Sequence, residues 1–136
     1  DFLEVHLKRI VVHMKNGEIA KGYSSDFSLD EPLFHLVSIT DPLCMEEIRL
    51  DNLKAVFFVK DFNGDFLHVD SHEFGDAPES GAHIMISFFD GEILFATSEN
   101  IDYDAVGFFI HPIDPEANTE SAFVVNSFIH SIEIID

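Results

Sequence analysis

Apolar and polar positions alternate along this chain in short runs, which is the pattern of β-strands that bury one face. Clusters of Gly, Asn, Asp and Pro separate the runs. The sharpest turn signals are Asn16-Gly17 and Asp90-Gly91, each between two such runs. Pairs of this kind favour two-residue type I′ turns, in which both turn positions need φ > 0. The sequence therefore predicts two β-hairpins at these four residues and an all-β fold.

The same pattern predicts five strands in each half of the chain. In the first half they span residues 10–14, 18–23, 33–39, 46–50 and 55–59. In the second half they span residues 84–89, 92–98, 107–110, 122–125 and 131–135. A tight connection separates the last two strands of each half. Five short strands at this spacing are typical of a small, strongly bent barrel.

The second half repeats the first at a nearly constant spacing. The tripeptide Gly-Glu-Ile at position 17 recurs at position 91, and Phe34 recurs at the same offset as Phe108. Apolar positions near the end of each half, such as Val56 and Ile132, match at a slightly longer offset. Agreement of identities, apolar pattern and turns indicates a duplication. The expected units are a first β-barrel repeat at 1–62, an acidic connector at 63–81 and a second repeat at 82–136.

Each repeat resembles the Sm-like version of the SH3-type barrel. That family opens with an apolar strand, a turn glycine and a second small residue about five positions later. Gly17 and Gly22 match this in the first repeat, and Gly91 and Ala96 in the second. The paired repeats also resemble an uncharacterised bacterial family of twin β repeats that carry a segment like LKAVFFVKDF, here residues 53–62. The resemblance implies two tandem Sm-like/SH3-like five-stranded small barrels packed as a pseudo-duplicate.

The charge of the chain argues against a nucleic-acid partner. It has 7 Lys and Arg against 26 Asp and Glu, for a net charge of −19. Such a field repels phosphate and attracts basic partners. RNA-binding Sm proteins carry Arg-Gly in the last tight connection, whereas this chain has Asp51-Asn52 and Asn126-Ser127. The resemblance therefore implies the barrel without the RNA site.

The composition indicates a cytoplasmic protein. The single cysteine, Cys44, permits no internal disulfide, which suits a reducing compartment. No apolar run approaches the length of a membrane helix, roughly 18 residues, and no signal peptide is visible, so we expect no membrane partner. The chain begins with Asp rather than Met, which is expected of a segment cut from a longer protein.

The connector holds the candidate metal ligands. A helix would place His68 and His72 on one face, and a strand would place His68, Asp70 and His72 on one face, where they could bind zinc or another transition metal. Residues 61–65, DFNGD, place oxygen ligands at alternate positions, as calcium loops do, but the Gly and Glu of an EF-hand are missing. The favoured interpretation is a solvated polar linker for the His segment and a plain Asn-Gly turn for residues 61–65. A metal-binding regulatory domain is therefore an alternative interpretation.

No other pattern points to catalysis. Asp102 and Asp104 could form a carboxylate pair with Asp114 or Glu116, but such pairs do acid–base work only if burial separates their pKa values, and exposed loop acids are the simpler interpretation. The chain has no glycine-rich phosphate loop, so we expect no cofactor and no enzymatic activity.

The leading hypothesis is a non-catalytic protein-interaction or assembly module. Phe57 and Phe58 are adjacent in a predicted strand and must face opposite sides, so one small barrel cannot bury both. We expect one of them to contact the other repeat or a second subunit. A basic protein partner, or a homo-oligomer formed through strand edges, fits the charge and the exposed edges of small barrels. An Sm-like nucleic-acid binder is the remaining alternative, disfavoured by the charge.

Overall fold

The fold is all-β. The structure is a computed structural model, and it describes residues 8–28, 30–41, 43–62, 81–113 and 118–135. The described strands of the first half are β1 (Lys8–Met14), β2 (Ile19–Ser24), β3 (Leu33–Ser38), β4 (Met45–Arg49) and β5 (Leu53–Val59). Those of the second half are β6 (Ala82–Phe88), β7 (Ile93–Ser98), β8 (Gly107–Pro112), β9 (Thr119–Val125) and β10 (Ile129–Ile134). One-turn 3-10 helices, Leu50–Asn52 and Asn126–Phe128, join the last two strands of each half.

The described strands form one antiparallel sheet in the order β10-β6-β7-β8-β9-β5-β1-β2-β3-β4. Within each half, the first strand pairs with the second and the fifth, the second with the third, and the third with the fourth. The pairing of β5 with β9 joins the halves. As a result, β4 and β10 stand at the two edges of the sheet.

The two halves also share their spacing along the chain. The first four strands of each half begin at one constant offset, which takes Lys8 to Ala82 and Met45 to Thr119. The 3-10 helices and the fifth strands share a slightly longer offset, which takes Leu53 to Ile129. Strand order and spacing therefore coincide in the two halves.

Two separate five-stranded barrels, as expected from the sequence, are not confirmed. Instead, β5 pairs with β9 from Ala55 opposite Val124 to Val59 opposite Thr119, so the described strands continue as one open sheet. The physical reason is that β5 and the second part of β9 carry buried apolar side chains on both faces. Closing each half separately would leave one of these faces in water, which costs hydrophobic free energy.

Two hydrophobic cores lie on opposite faces of the β5–β9 pair, and each half completes the core of the other. The first-half core contains residues such as Ile10, Phe34 and Val56, and β9 adds Phe123 and Val125 to it. The second-half core consists mainly of residues from β6 to β9, and the first half adds four buried side chains among the described residues: Val11, Ala55, Phe57 and Val59. The junction is therefore a shared, buried part of the structure.

The hairpin turns lie at the expected residues, but their predicted type was wrong. In the first half, the N–H of Gly17 donates to the carbonyl of Met14 at 3.0 Å, and the N–H of Met14 donates to the carbonyl of Glu18 at 2.9 Å. Phe88, Gly91 and Glu92 repeat this pattern in the second half.

These bonds define three-residue loops with a bulge at the glycine rather than two-residue type I′ turns. Positive φ is found only at glycines among the described residues, at 94° for Gly17 and 92° for Gly91. The polar residue before each glycine has a different role. The Asn16 side chain accepts the N–H of Glu18 at 2.9 Å, and Asp90 does the same for Glu92 at 3.0 Å.

Candidate functional site

Phe57 and Phe58 of β5 lie on opposite faces of the sheet. Phe57 is 2% exposed within the second-half core and meets the ring of His13 edge-on, with centroids 4.9 Å apart. Phe58 packs against the first-half core, and its ring centroid lies 6.2 Å from that of Phe109 in β8. Both rings therefore belong to the junction between the halves.

Phe27, in the loop after β2, occupies the centre of an aromatic cluster at this junction. Its ring centroid lies 5.1 to 6.3 Å from those of Phe34, Phe58, Phe109 and Phe123. Edge-on ring pairs of this kind are favourable beyond the area that they bury. No periodic signal marks Phe27 in the sequence, because it lies in a polar loop.

A buried lysine crosses the same junction. Lys54 of β5 has a side chain 7% exposed, and its Nζ donates to Asp90 Oδ2 at 2.8 Å and to Glu92 Oε1. The ammonium also lies 4.8 Å from the ring centroid of Phe88. Burial raises the pKa of Asp90, but the hydrogen bonds from Lys54 and from the Glu92 N–H outweigh it and lower that pKa below its usual value. The ion pairs tie β5 of the first half to the β6–β7 turn of the second.

His13 lies beside this ion-pair cluster and is 6% exposed. Its pKa is lowered to about 4, mainly by burial and then by the positive charge of Lys54, while the negative charge of Asp90 acts in the opposite direction. The imidazole is therefore neutral at pH 7, and it contributes to packing at the junction.

A His–Asp pair fixes the loop that carries Phe27. Asp26 Oδ2 lies 2.7 Å from His35 Nδ1, while Oδ1 accepts the His35 N–H at 2.9 Å and the Ser24 hydroxyl at 3.2 Å. Burial raises the pKa of Asp26, and the hydrogen bonds from His35 and Ser24 together lower it below its usual value. Both side chains of the pair are exposed, so its clear effect is to hold the loop in place.

The acidic loop before β8 is closed by local hydrogen bonds. Asp102 Oδ1 accepts the N–H groups of Asp104 and Ala105 at 3.0 and 3.2 Å. The side-chain amide of Asn126 donates to the carbonyls of Asp102 and Ala105 at 2.7 and 2.9 Å. Asp102 therefore shapes a turn, and its proposed carboxylate partners Asp114 and Glu116 lie outside the described residues.

The candidate metal ligands His68, Asp70 and His72 lie outside the described residues. Within the residues that the structure does describe, no group of three or more His, Cys, Asp or Glu side chains could hold a metal ion.

The outer side of β4 is open to solvent among the described strands. At the two ends of β4, Ser38 N donates to Cys44 O at 3.3 Å and Leu50 N donates to Pro32 O at 3.0 Å. These bonds show that the backbone N–H and C=O groups of the even-numbered residues of β4 point toward β3. Antiparallel alternation then points the N–H and C=O groups of residues 45, 47 and 49 outward. These outward groups can pair with an added strand.

Acidic side chains mark this edge. Phe34 in the first half and Phe108 in the second are equivalent residues. Phe34 pairs with Ile48 of β4, and Phe108 pairs with Val124 of β9. By this register, Glu46 and Glu47 of β4 stand where β9 has Ala122 and Phe123. The β9 edge is apolar and receives β5, whereas the corresponding β4 edge is acidic and exposed.

A groove of about 530 Å³ lies beside β4, where the first part of β2 separates from β3. Its apolar lining comes from Ile19, Ala20, Leu36 and Ile39, and Glu46 of β4 lies at the same groove. Large apolar side chains are exposed around this corner: Ile19 at 51%, Ile39 at 39%, Leu43 at 96% and Met45 at 64%. A cluster of exposed apolar side chains with a polar rim is typical of a protein-binding surface. We call this region the β4 corner, defined by β4 and the groove.

Residues 6–136 match the model of a family described as a family of unknown function (DUF6982), so the chain belongs to that family. No curated protein and no solved structure matched the chain. In the described part of the chain, no helix has the length and apolar character needed to cross a membrane.

Proposed function

We propose that this chain is a non-catalytic protein-interaction module that binds an extended, basic segment of a partner protein by strand addition to β4. The observation that carries the proposal is the open β4 edge, on which Glu46 and Glu47 accompany outward-facing backbone groups. Main-chain hydrogen bonds would supply affinity, and the acidic side chains would select basic residues. The net charge of −19 would also speed encounter with a basic partner.

The junction between the halves supports this mode of binding. We interpret the halves as Sm-like, SH3-like barrel repeats, so that β4 and β9 are equivalent fourth strands. In the second half, the fourth strand β9 already receives β5 along five residue pairs. The first half has the equivalent edge on β4, and this edge is unpaired among the described strands.

The charges favour a basic partner over a second copy of the chain. A second copy that offered its open β10 edge would bring Glu133 toward Glu46 and Glu47. Like charges on facing strands are destabilising. Lysine or arginine at the same positions of a partner strand would be attractive, by about 0.2–1 kcal/mol for each exposed pair.

The test is binding of synthetic strand peptides to the intact chain. Peptides of about ten residues would alternate Lys with Val or Ile, and matched peptides would carry Glu in place of Lys. Isothermal titration at two salt concentrations should show that the basic peptides bind and that added salt weakens them. Light scattering on the same samples detects self-association.

Three variants locate the site. Glu47→Gln removes one charge and should weaken binding about twofold to fivefold. Glu47→Pro also removes an outward backbone N–H without touching the bonds to β3, so it should abolish binding. Glu133→Gln at the opposite edge should leave binding unchanged. Native-like binding by the Glu47→Pro chain would contradict strand addition at β4.

A further inference from the structure

The residues that line the groove at the β4 corner are smaller or more exposed than two of their counterparts in the second half. Ala20 stands where the second half has Leu94, which packs against the second-half core. Ile39 is 39% exposed, whereas its counterpart Ile113 is 3% exposed. The first half therefore has less side-chain volume at position 20 and leaves Ile39 more exposed than its counterpart.

The groove is also placed to receive a side chain from a strand on β4. Glu46 lines it and is paired with Leu36, whose buried side chain is part of the groove wall. An extended segment added to the outer side of β4 would therefore pass beside the groove. The remaining apolar wall comes from Ile19 and Ile39. Lys21 also lines the groove, and its ammonium donates a hydrogen bond to the Phe62 carbonyl at 3.0 Å.

We infer that this groove is a specificity pocket for one large aliphatic or aromatic side chain of the partner segment. This inference rests on the proposed strand addition and names the partner more closely: an extended segment with an apolar anchor flanked by Lys or Arg. Apolar walls favour the anchor because its burial removes hydrocarbon surface from water. Glu46 and Glu47 favour the flanking cations.

The decisive variant is Ala20→Leu, which copies Leu94 of the second half into the groove. We would titrate the native and Ala20→Leu chains with a basic peptide that carries one Leu anchor, and with the same peptide carrying Ala instead. NMR of labelled isoleucine and leucine methyl groups would report on Ile19, Leu36 and Ile39 directly. Ala105→Leu, at an exposed loop of the second half, is the matched control for added volume. Urea unfolding of each variant verifies that the fold is retained.

For the native chain, we expect the Leu anchor to bind at least tenfold more tightly than the Ala peptide, which corresponds to about 1.4 kcal/mol. We also expect shifts of the three groove methyl groups, and loss of both effects in the Ala20→Leu chain alone. Equal binding of both peptides, with the Glu47→Pro effect retained, would overturn the pocket and leave strand addition standing. Failure of every basic peptide to bind the folded chain would overturn both.

Discussion

Lys54 gives the sharpest test of how the two halves are held together. Its ammonium is buried and paired with Asp90 and Glu92, whose side chains are 43% and 30% exposed. Neutralising both carboxylates leaves a buried cation with no opposite charge beside it. Removing the cation instead leaves two carboxylates that water can reach. The two perturbations should therefore have unequal costs.

We expect the Asp90→Asn, Glu92→Gln chain to lose about 3 kcal/mol of unfolding free energy, the lower end of the range for breaking a buried ion pair. The Lys54→Met chain keeps an apolar stem against Phe88 and should lose about 1 kcal/mol or less. Asn is a suitable replacement at position 90, because Asn16 accepts the equivalent backbone N–H in the first half.

Urea unfolding at pH 7 measures both losses. With a slope of about 1.5 kcal/mol per molar urea, the double variant should unfold about 2 M earlier than the native chain. The Lys54→Met midpoint should move by less than about 1 M. A larger loss in Lys54→Met than in the double variant would refute the reasoning, because it would mean that the cation itself stabilises the fold more than its burial costs.

Two further predictions concern pH and assembly. The pKa of His13 falls from 6.5 in the unfolded chain to about 4 in the fold, so stability is complete above 6.5 and is lost as the pH falls toward 4. Between pH 7 and 5 the free energy of unfolding should fall by about 2 kcal/mol through His13. Urea titrations of a His13→Leu chain should show a pH dependence smaller by that amount. An unchanged pH dependence would contradict the lowered pKa of His13. For assembly, Glu46→Ala with Glu47→Phe copies the apolar edge of β9 onto β4, and light scattering should detect concentration-dependent association that the native chain does not show; a strictly monomeric variant would indicate that these charges do not prevent self-association.

Strand positions were readable from the sequence because they depend on local alternation and turn residues. The predicted segment 10–14 lies within β1, and 55–59 lies within β5. The hairpin glycines were equally clear, since Gly17 and Gly91 adopt the positive φ that favours glycine. The type of turn could not be read from the sequence, because the bulged three-residue loop and the type I′ turn both favour an Asn-Gly or Asp-Gly pair.

The junction could not be predicted from the sequence, because it depends on contacts between distant residues. The apolar faces of β5 indicated that Phe57 and Phe58 needed partners, but not that β9 would supply the pairing. The role of Lys54 depends on a turn far along the chain, and no local spacing connects it to Asp90. The groove beside Ala20 depends on how β2, β3 and β4 lie relative to one another, which no local spacing indicates.

Hydrogen exchange of the β4 backbone is the most direct test of strand addition. The amides of Met45, Glu47 and Arg49 face outward and should exchange rapidly in the free chain. On addition of a basic peptide with an apolar anchor, these three amides should become protected, while the exposed edge of β10 should be unaffected. Peptide binding that leaves all three β4 amides exchanging at their free rates would contradict the account.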